Sequence, residues 1–333
     1  MEIAVIGGSG FIGTELVSRL LKSGHRVRIG DIAPSTAYPD LRSACDVRDV
    51  EQVTAFLRGA EAVYNLAAQH ADDIRPRSLY YDVNTQGARN LCEAAERLGI
   101  LRLYFTSSVS VYGFSRDKID EDGPKRPFSD YGRSKLQAEG IMREWFHRGP
   151  GRTLVMVRPT VVFGPWNRGN VYHLMKYLAR NPYVMIGRGQ NVKAVCYVDN
   201  VAAFLERVLS LRPGEYVYNY ADTEFPVATL VHWVRKWLGQ DSAPLVRLPY
   251  VLAYGIGVVF DSVARVTGRR LPISVARVQK FCGPTRYSAA RAMSIGFQPP
   301  ADAERALEAT FRWEFTHRRP TAGAGGDQLT AEV

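Results

Sequence analysis

Glu2-Ile-Ala-Val-Ile-Gly-Gly-Ser-Gly-Phe-Ile-Gly13 reads as an apolar strand that runs into a glycine-rich turn and then a helix. The spacing Gly7-x-x-Gly10-x-x-Gly13 gives each glycine a task. Gly7 permits the tight turn, Gly10 lets backbone approach a pyrophosphate, and Gly13 allows the helix to pack closely on the strand. The helix start offers free N–H groups and the positive end of its dipole to phosphates. Three glycines alone also suit a plain loop, and the second strand decides between the two. It ends at Asp31, 18 residues after Gly13, where a carboxylate can accept both hydroxyls of an adenosine ribose. Asp31 would repel a 2′-phosphate and Ile32 brings no cation, so the cofactor expected is NAD rather than NADP. Asp46 and Val47 stand where residues bracket an adenine, although Asp46 equally suits a cap for a helix from Val50.

Outward from this unit the same alternation continues. Strands are expected at 2–6, 26–30, 62–66, 101–106 and 153–157, and helices at 12–22, 50–57, 80–98 and 131–146. Such repetition forces right-handed parallel crossovers, hence an α/β fold with a doubly wound parallel sheet. Beyond Pro165 the pattern breaks into helices at 172–179, 201–209 and 230–238 with short strands between them. We therefore expect a dinucleotide-binding domain over 1–165, with a return near 183–210. A smaller mixed α/β substrate lobe over 166–317 would sit on the C-terminal edge of the sheet, and the Gly/Ala-rich 318–333 reads as a disordered tail.

The bulk composition is that of a globular protein, with 46% hydrophobic and 23% charged residues among 333. Four scattered cysteines without a CxxC pair argue against a metal site or disulfide framework and for a reducing compartment. Met1 and Glu2 lead straight into a strand with no basic leader, so the expected location is the cytoplasm. The net charge of +10 comes mostly from arginine (35 of the 43 basic residues), dispersed without a run of five or more like charges. That distribution speaks against nucleic acid and for an anionic small substrate or an anionic membrane surface. One apolar run, 248–260, is 13 residues long, short of the about 20 needed to cross a bilayer. It reads either as a buried helix of the second lobe or as an interfacial element flanked by Arg247, Arg265, Arg269 and Arg270.

Tyr131-Gly-Arg-Ser-Lys135 places a phenol and an ammonium on one helical face. A lysine there is expected to lower the tyrosine pKa and to hold a nicotinamide ribose. The motif recurs as Tyr172-x-x-x-Lys176, so context must choose. Tyr131 follows the strand end Tyr104-Phe-Thr-Ser-Ser-Val-Ser-Val-Tyr-Gly113, which supplies hydroxyls at the sheet edge, and Tyr172 has no such strand before it. Tyr131 and Lys135 are thus the candidate catalytic pair, and Tyr172 with Lys176 is read as structural.

The glycine turn, Asn65-Leu-Ala-Ala68, Val83-Asn-x-x-Gly87, the Ser-Ser-x-x-Val-Tyr-Gly strand end, Tyr-x-x-x-Lys and Arg158-Pro-Thr-Val-Val-Phe-Gly-Pro165 occur in order. Together they resemble the extended short-chain dehydrogenase/reductases of the sugar epimerase/dehydratase branch. The resemblance implies that Ser108 orients the substrate beside Tyr131 and Lys135. It also implies that Gly7, Gly10, Phe11, Ile12, Gly13, Asp31, Asp46, Val47, Leu66, Ala67, Ala68, Asn84 and Pro159 line the cofactor groove with that pair. A narrower likeness rests on His70-x-Asp-Asp73, Asn167-Arg-Gly-Asn-Val-Tyr172, Val217-Tyr-Asn-Tyr220, Leu248-Pro-Tyr250 and Lys280-Phe-Cys282. These are similar to epimerases that interconvert N-acetylglucosamine and N-acetylgalactosamine on polyprenyl diphosphate, in O-antigen and lipopolysaccharide assembly. That likeness implies a sugar diphosphate substrate met by His70, Ser108, Asn170, Lys193, Arg277 and Thr285, the small Thr285 leaving room for an N-acetyl group. A homodimer through two helices of the sheet domain is a further implication. Val109 and Ser110 after Ser108 speak against a 4,6-dehydratase, which uses an acidic pair there. A net dehydrogenase acting on sterols or sugars, a soluble UDP-sugar 4-epimerase and a non-catalytic dinucleotide sensor are the remaining alternatives.

Overall fold

The computed structural model describes residues 1–71, 74–115, 117–179, 183–240, 244, 246–267 and 275–315, without the side chains of Arg265, Val266, Ala276, Arg277, Lys280 and Phe281. Asp72, Asp73, Arg269, Arg270 and the tail expected at 318–333 lie outside the described residues. The first half runs β1 (Glu2–Ile6), α1 (Phe11–Lys22), β2 (Arg26–Asp31), β3 (Arg42–Ala44), α2 (Val50–Leu57) and β4 (Ala62–Asn65). It continues through α3 (Ser78–Tyr80), a π-helical turn Tyr81–Gln86, α4 (Gly87–Leu98), β5 (Arg102–Thr106), α5 (Asp130–His147) and β6 (Thr153–Pro159). Next come β7 (Val161–Phe163), α6 (Asn170–Leu178), β8 (Val184–Ile186), β9 (Val192–Tyr197), α7 (Val198–Arg207), β10 (Gly214–Tyr220) and β11 (Thr223–Pro226). The chain ends with α8 (Val227–Trp237), β12 (Val246–Leu248), α9 (Tyr250–Thr267), α10 (Val275–Cys282), α11 (Ala290–Ser294) and α12 (Ala303–Phe315).

Among the described residues, seven parallel strands form one sheet in the order β10-β6-β5-β4-β1-β2-β3. The order reverses between β1 and β4, and the crevice beyond the carboxyl ends of those two strands is where such sheets bind ligands. Each face is closed by helices whose apolar residues recur at helical spacing. On one side Leu16, Val17 and Leu20 of α1 join Val201, Phe204 and Leu205 of α7 over Ile3 and Val5. On the other, Val53 and Leu57 of α2, Leu91 and Ala95 of α4, and Met142 and Trp145 of α5 cover Ala4, Val63 and Phe105. Full burial of a leucine such as Leu16 stabilises the sheet by roughly 1.5–3 kcal/mol.

Three expectations are corrected. The return to the large sheet begins inside the expected 183–210 with α7 but reaches its strand only at β10, because β8 and β9 pair instead with β12 and with β7 and β11 in two smaller sheets. The helix expected over 80–98 opens with the π turn, whose extra residue per turn swings Asn84 inward. The apolar run 248–260 is not a buried helix. Val251, Leu252, Val258, Val259 and Val263 on α9 are exposed, Val251 by 80%. Ala253 and Gly257, one turn apart, form the buried stripe. A helix apolar all round has burial for only one stripe when it packs on one neighbour, here α10. No helix among the described residues is long and apolar enough to cross a membrane.

Candidate active site

The glycine turn is built by contact rather than by flexibility alone. Gly7 has φ +77°, and a Cβ there would lie 2.5 Å from the Ala67 backbone nitrogen, so only glycine lets the first turn nest against the end of β4. A Cβ on Gly13 would meet the Gly7 carbonyl at 2.4 Å, which would push α1 off the turn. Gly10 caps α1 with no side-chain hydrogen bond, leaving the N–H groups of Phe11, Ile12 and Gly13 at an open helix start. Ser9 N–H and Ala33 N–H donate to the two Asp31 oxygens at 3.0 Å each, fixing the carboxylate at the end of β2. Leu66, Ala67 and Ala68 continue from β4 opposite this turn, Val47 is buried, and Pro159 closes β6 against Tyr220. This backbone cradle, with an acidic group for a ribose, fits a dinucleotide.

Asp46 is not the cap of α2. Asp49 caps it, accepting from Glu51 N–H and Gln52 N–H, while Asp46 is paired with Arg48 at 2.6 Å, which holds its carboxyl below the ordinary value. Arg42, which the sequence reading did not place here, donates to the Asp31 and Ile32 carbonyls at 2.8 and 2.9 Å. Asn84 is buried and joins two segments: it accepts from Gln69 N–H at 2.8 Å and donates to Ser134 Oγ at 2.9 Å.

Ser108 stands at the end of β5, where its hydroxyl caps the short turn Val109–Val111 and lies 3.1 Å from Ser110 Oγ. α5 begins at its cap Ser129, whose Oγ accepts from Gly132 N–H at 3.1 Å. That start brings Tyr131 in its first turn near Ser108, whose hydroxyl favours the ionised phenol. The expected lowering of the Tyr131 pKa by Lys135 is corrected. Burial holds the phenol above its ordinary value, and Ser108 offsets this only in part. Lys135 is fully enclosed, donates to the Thr106 carbonyl at 2.9 Å and lies 4.7 Å from the Phe105 ring centre. Desolvation brings its pKa down to about 7, against an opposing pull from Glu139.

Beneath this pair lies a buried network that the sequence reading missed. Glu139 accepts from Ser107 Oγ at 2.7 Å and from Arg158 at 2.7 and 2.6 Å, with both charged side chains fully buried. Arg158 also donates to the Tyr112 hydroxyl and to the Glu121 carbonyl, and Tyr112 donates to Asn219 at 2.8 Å. Tyr131, Lys135 and Glu139 stand four residues apart, so the spacing that found the pair could have found its third member.

The expected substrate contacts are less gathered. His70 is exposed on the loop after β4. Asn170 is exposed at the start of α6. Lys193 donates to the Gly283 carbonyl at 2.6 Å, and burial lowers its pKa to about 8. Thr285 does not simply leave room: its hydroxyl accepts from Ala194 N–H at 3.2 Å and is part of the β9 edge. The side chain of Arg277 lies outside the described residues. Tyr172 stacks on Phe315 at 5.5 Å under Arg168, remote in kind from the hydroxyl-rich strand end. A cavity of about 710 Å³ is lined by Phe114, Phe128, Arg188, Tyr250 and Gly283 among others.

Residues 3–221 match the profile of the NAD dependent epimerase/dehydratase family. Over 321 residues the chain is 40% identical to an N-acetyl-alpha-D-glucosaminyl-diphospho-ditrans,octacis-undecaprenol 4-epimerase of Escherichia coli O157:H7, covering 96% of each protein. It is 27% identical to a decarboxylating sterol-4-alpha-carboxylate 3-dehydrogenase of Candida albicans, over 94% of this chain and 97% of that one. Among solved structures, the UDP-glucose 4-epimerase of Thermus thermophilus in complex with NAD superposes with a TM-score of 0.71 at 24% identity, over 94% and 99% of the two chains. That likeness establishes the shared fold.

Proposed function

The chain belongs to the NAD-dependent epimerase/dehydratase family, and on that premise we propose that it is a 4-epimerase. Its substrate would be N-acetylglucosamine or N-acetylgalactosamine carried on polyprenyl diphosphate. The observation that carries the reading is the Tyr131 phenol in the first turn of α5 near Ser108 at the sheet edge, with Lys135 one helical turn along and bonded to the Thr106 carbonyl. The identity to the undecaprenol-linked epimerase over both lobes supports the choice of carrier.

NAD, when bound on the glycine turn and Asp31, supplies the acceptor and donor of the C4 hydride. The chain's own residues handle orientation and the proton. Ser108 holds O4 of the sugar while Tyr131 removes its proton, so that the C4–H bond breaks and a 4-keto sugar remains in the site. Once the ketone has turned its other face, Tyr131 would return the proton to O4 as C4 is reduced again. A phenol whose pKa burial raises stays protonated and so holds the proton it must give back. For the first half it would need positive charge nearby, which Lys135 would supply in its protonated form, the form that Glu139 favours. Net redox is zero, so one bound dinucleotide serves many turnovers.

The location follows from the same reading. The exposed apolar face of α9 and the net charge of +10 suit the surface of an anionic membrane, on the cytoplasmic side where unpaired cysteines persist. A homodimer through helices of the sheet domain completes the proposal. Incubation with polyprenyl diphosphate N-acetylglucosamine should yield the galacto epimer without accumulation of NADH. A steady conversion of free NAD to NADH would instead identify a net dehydrogenase of the sterol type.

A further inference from the structure

We propose that the cavity between the Phe114–Phe128 ring pair, Arg188 and Tyr250 holds the isoprenoid diphosphate end of the substrate and delivers it to α9. The inference rests on the carrier proposed above and names the residues that would recognise it. Its first support is placement. Phe114 lies six residues past Ser108, and Phe128 directly precedes Ser129, the cap that starts the helix of Tyr131. A Cβ on Gly132, next to Tyr131, would meet the Ser110 carbonyl and Pro127, so the segments that carry the two rings pack at the start of the Tyr131 helix. The lining also includes Tyr250, the first residue of α9, beyond which Val251 and Leu252 are exposed. The cavity is thus bordered both by segments that adjoin the candidate catalytic pair in the chain and by the apolar helix.

Its second support is chemistry. Phe114 and Phe128 stack at 4.4 Å with an 18° tilt, yet remain 39% and 43% exposed. An open shelf of two phenyl rings gains stability when an apolar chain covers it. Arg188 lines the same space, is exposed, and has no ion-pair partner among the described residues. A guanidinium in that position matches a diphosphate. No carboxylate is present among the described lining residues.

The test compares N-acetylglucosamine on farnesyl diphosphate, on methyl diphosphate and on UDP. Wild-type enzyme should favour the farnesyl compound over the methyl one by at least ~10-fold in kcat/KM, the effect of covering a few apolar groups. Phe128→Ala and Tyr250→Ala should each erode that ratio, chiefly through the KM of the farnesyl compound. Arg188→Gln should raise KM for the farnesyl and methyl compounds alike by about 10-fold. Thermal unfolding of each variant separates lost contacts from lost fold, and both aromatic positions are partly exposed. If the aromatic variants depress all three substrates equally through kcat, the cavity merely supports Tyr131 and the inference is overturned. If Arg188→Gln changes neither KM, the diphosphate placement is wrong. If wild type prefers the UDP sugar, the proposed carrier fails, and that failure is visible before any variant is made.

Discussion

At the scale of single residues, the two Tyr-x-x-x-Lys copies differ in surroundings rather than in sequence. Tyr131 faces Ser108, and Tyr172 is packed between Phe315 and cations. Tyr131→Phe should lower turnover by at least ~100-fold, the scale of a lost general acid-base group, while dinucleotide affinity holds. Tyr172→Phe should leave turnover within about twofold, and the reverse ranking would displace the site. Lys135 gives a second, independent readout. Its pKa of about 7 in the fold lies below the value of an exposed lysine. Between pH ~7 and ~10.4 the unfolded chain therefore binds more protons than the folded one at this position, and its contribution makes stability rise with pH across that window. Urea unfolding of the cofactor-free protein should show this slope, and Lys135→Met should flatten it. An unchanged slope would mean that Lys135 is not titrating as its burial implies. Glu139→Gln tests the layer below, since it leaves Arg158 charged in a dry site. A cost of about 3–5 kcal/mol is expected, whereas a loss under about 1 kcal/mol, the median of an exposed pair, would show that water reaches the network.

At the scale of elements, β1, the glycine turn and β2 were legible because strand period, turn chemistry and the Asp31 position all agree there. The end of β5 and the start of α5 were legible for a similar reason: hydroxyls and a helical i,i+4 pair are local patterns. What escaped the sequence depends on partners far along the chain. Ser107, Glu139 and Arg158 meet only because β5 pairs with β6 and α5 packs on both. The π turn that aims Asn84 inward shifts hydrogen bonds without changing the apolar period. The run 248–260 was ambiguous because an all-apolar helix carries no stripe to say which face is covered. Its exposed face now has a direct test. Val251→Ser, Leu252→Ser and Val259→Ser together should leave the unfolding temperature within a few degrees. They should also cut binding to anionic phospholipid vesicles by at least ~10-fold, given about 25 cal/mol for each Å² of apolar surface. Unfolding of the triple variant would mean that the face is covered in the native protein.

At the scale of the whole molecule, the seven-stranded sheet carries the glycine turn, Asp31 and the helix of Tyr131 and Lys135, while the two smaller sheets and α9 lie outside it. On the proposal above, the cavity lined by Phe128 and Tyr250 joins them, so recognition of the carrier is coupled to the chemistry at C4. The account stands on a claim that combines both: the sugar is inverted at C4 while its diphosphate remains attached to a lipid. The most direct measurement incubates purified protein with N-acetylglucosamine on a polyprenyl diphosphate and, in parallel, on UDP, follows absorbance of NADH, and identifies the hydrolysed sugars. The account predicts conversion to N-acetylgalactosamine with no net NADH and a kcat/KM that favours the lipid-linked substrate. A kcat/KM favouring the UDP sugar, or NADH formed in step with sugar consumed, would contradict it.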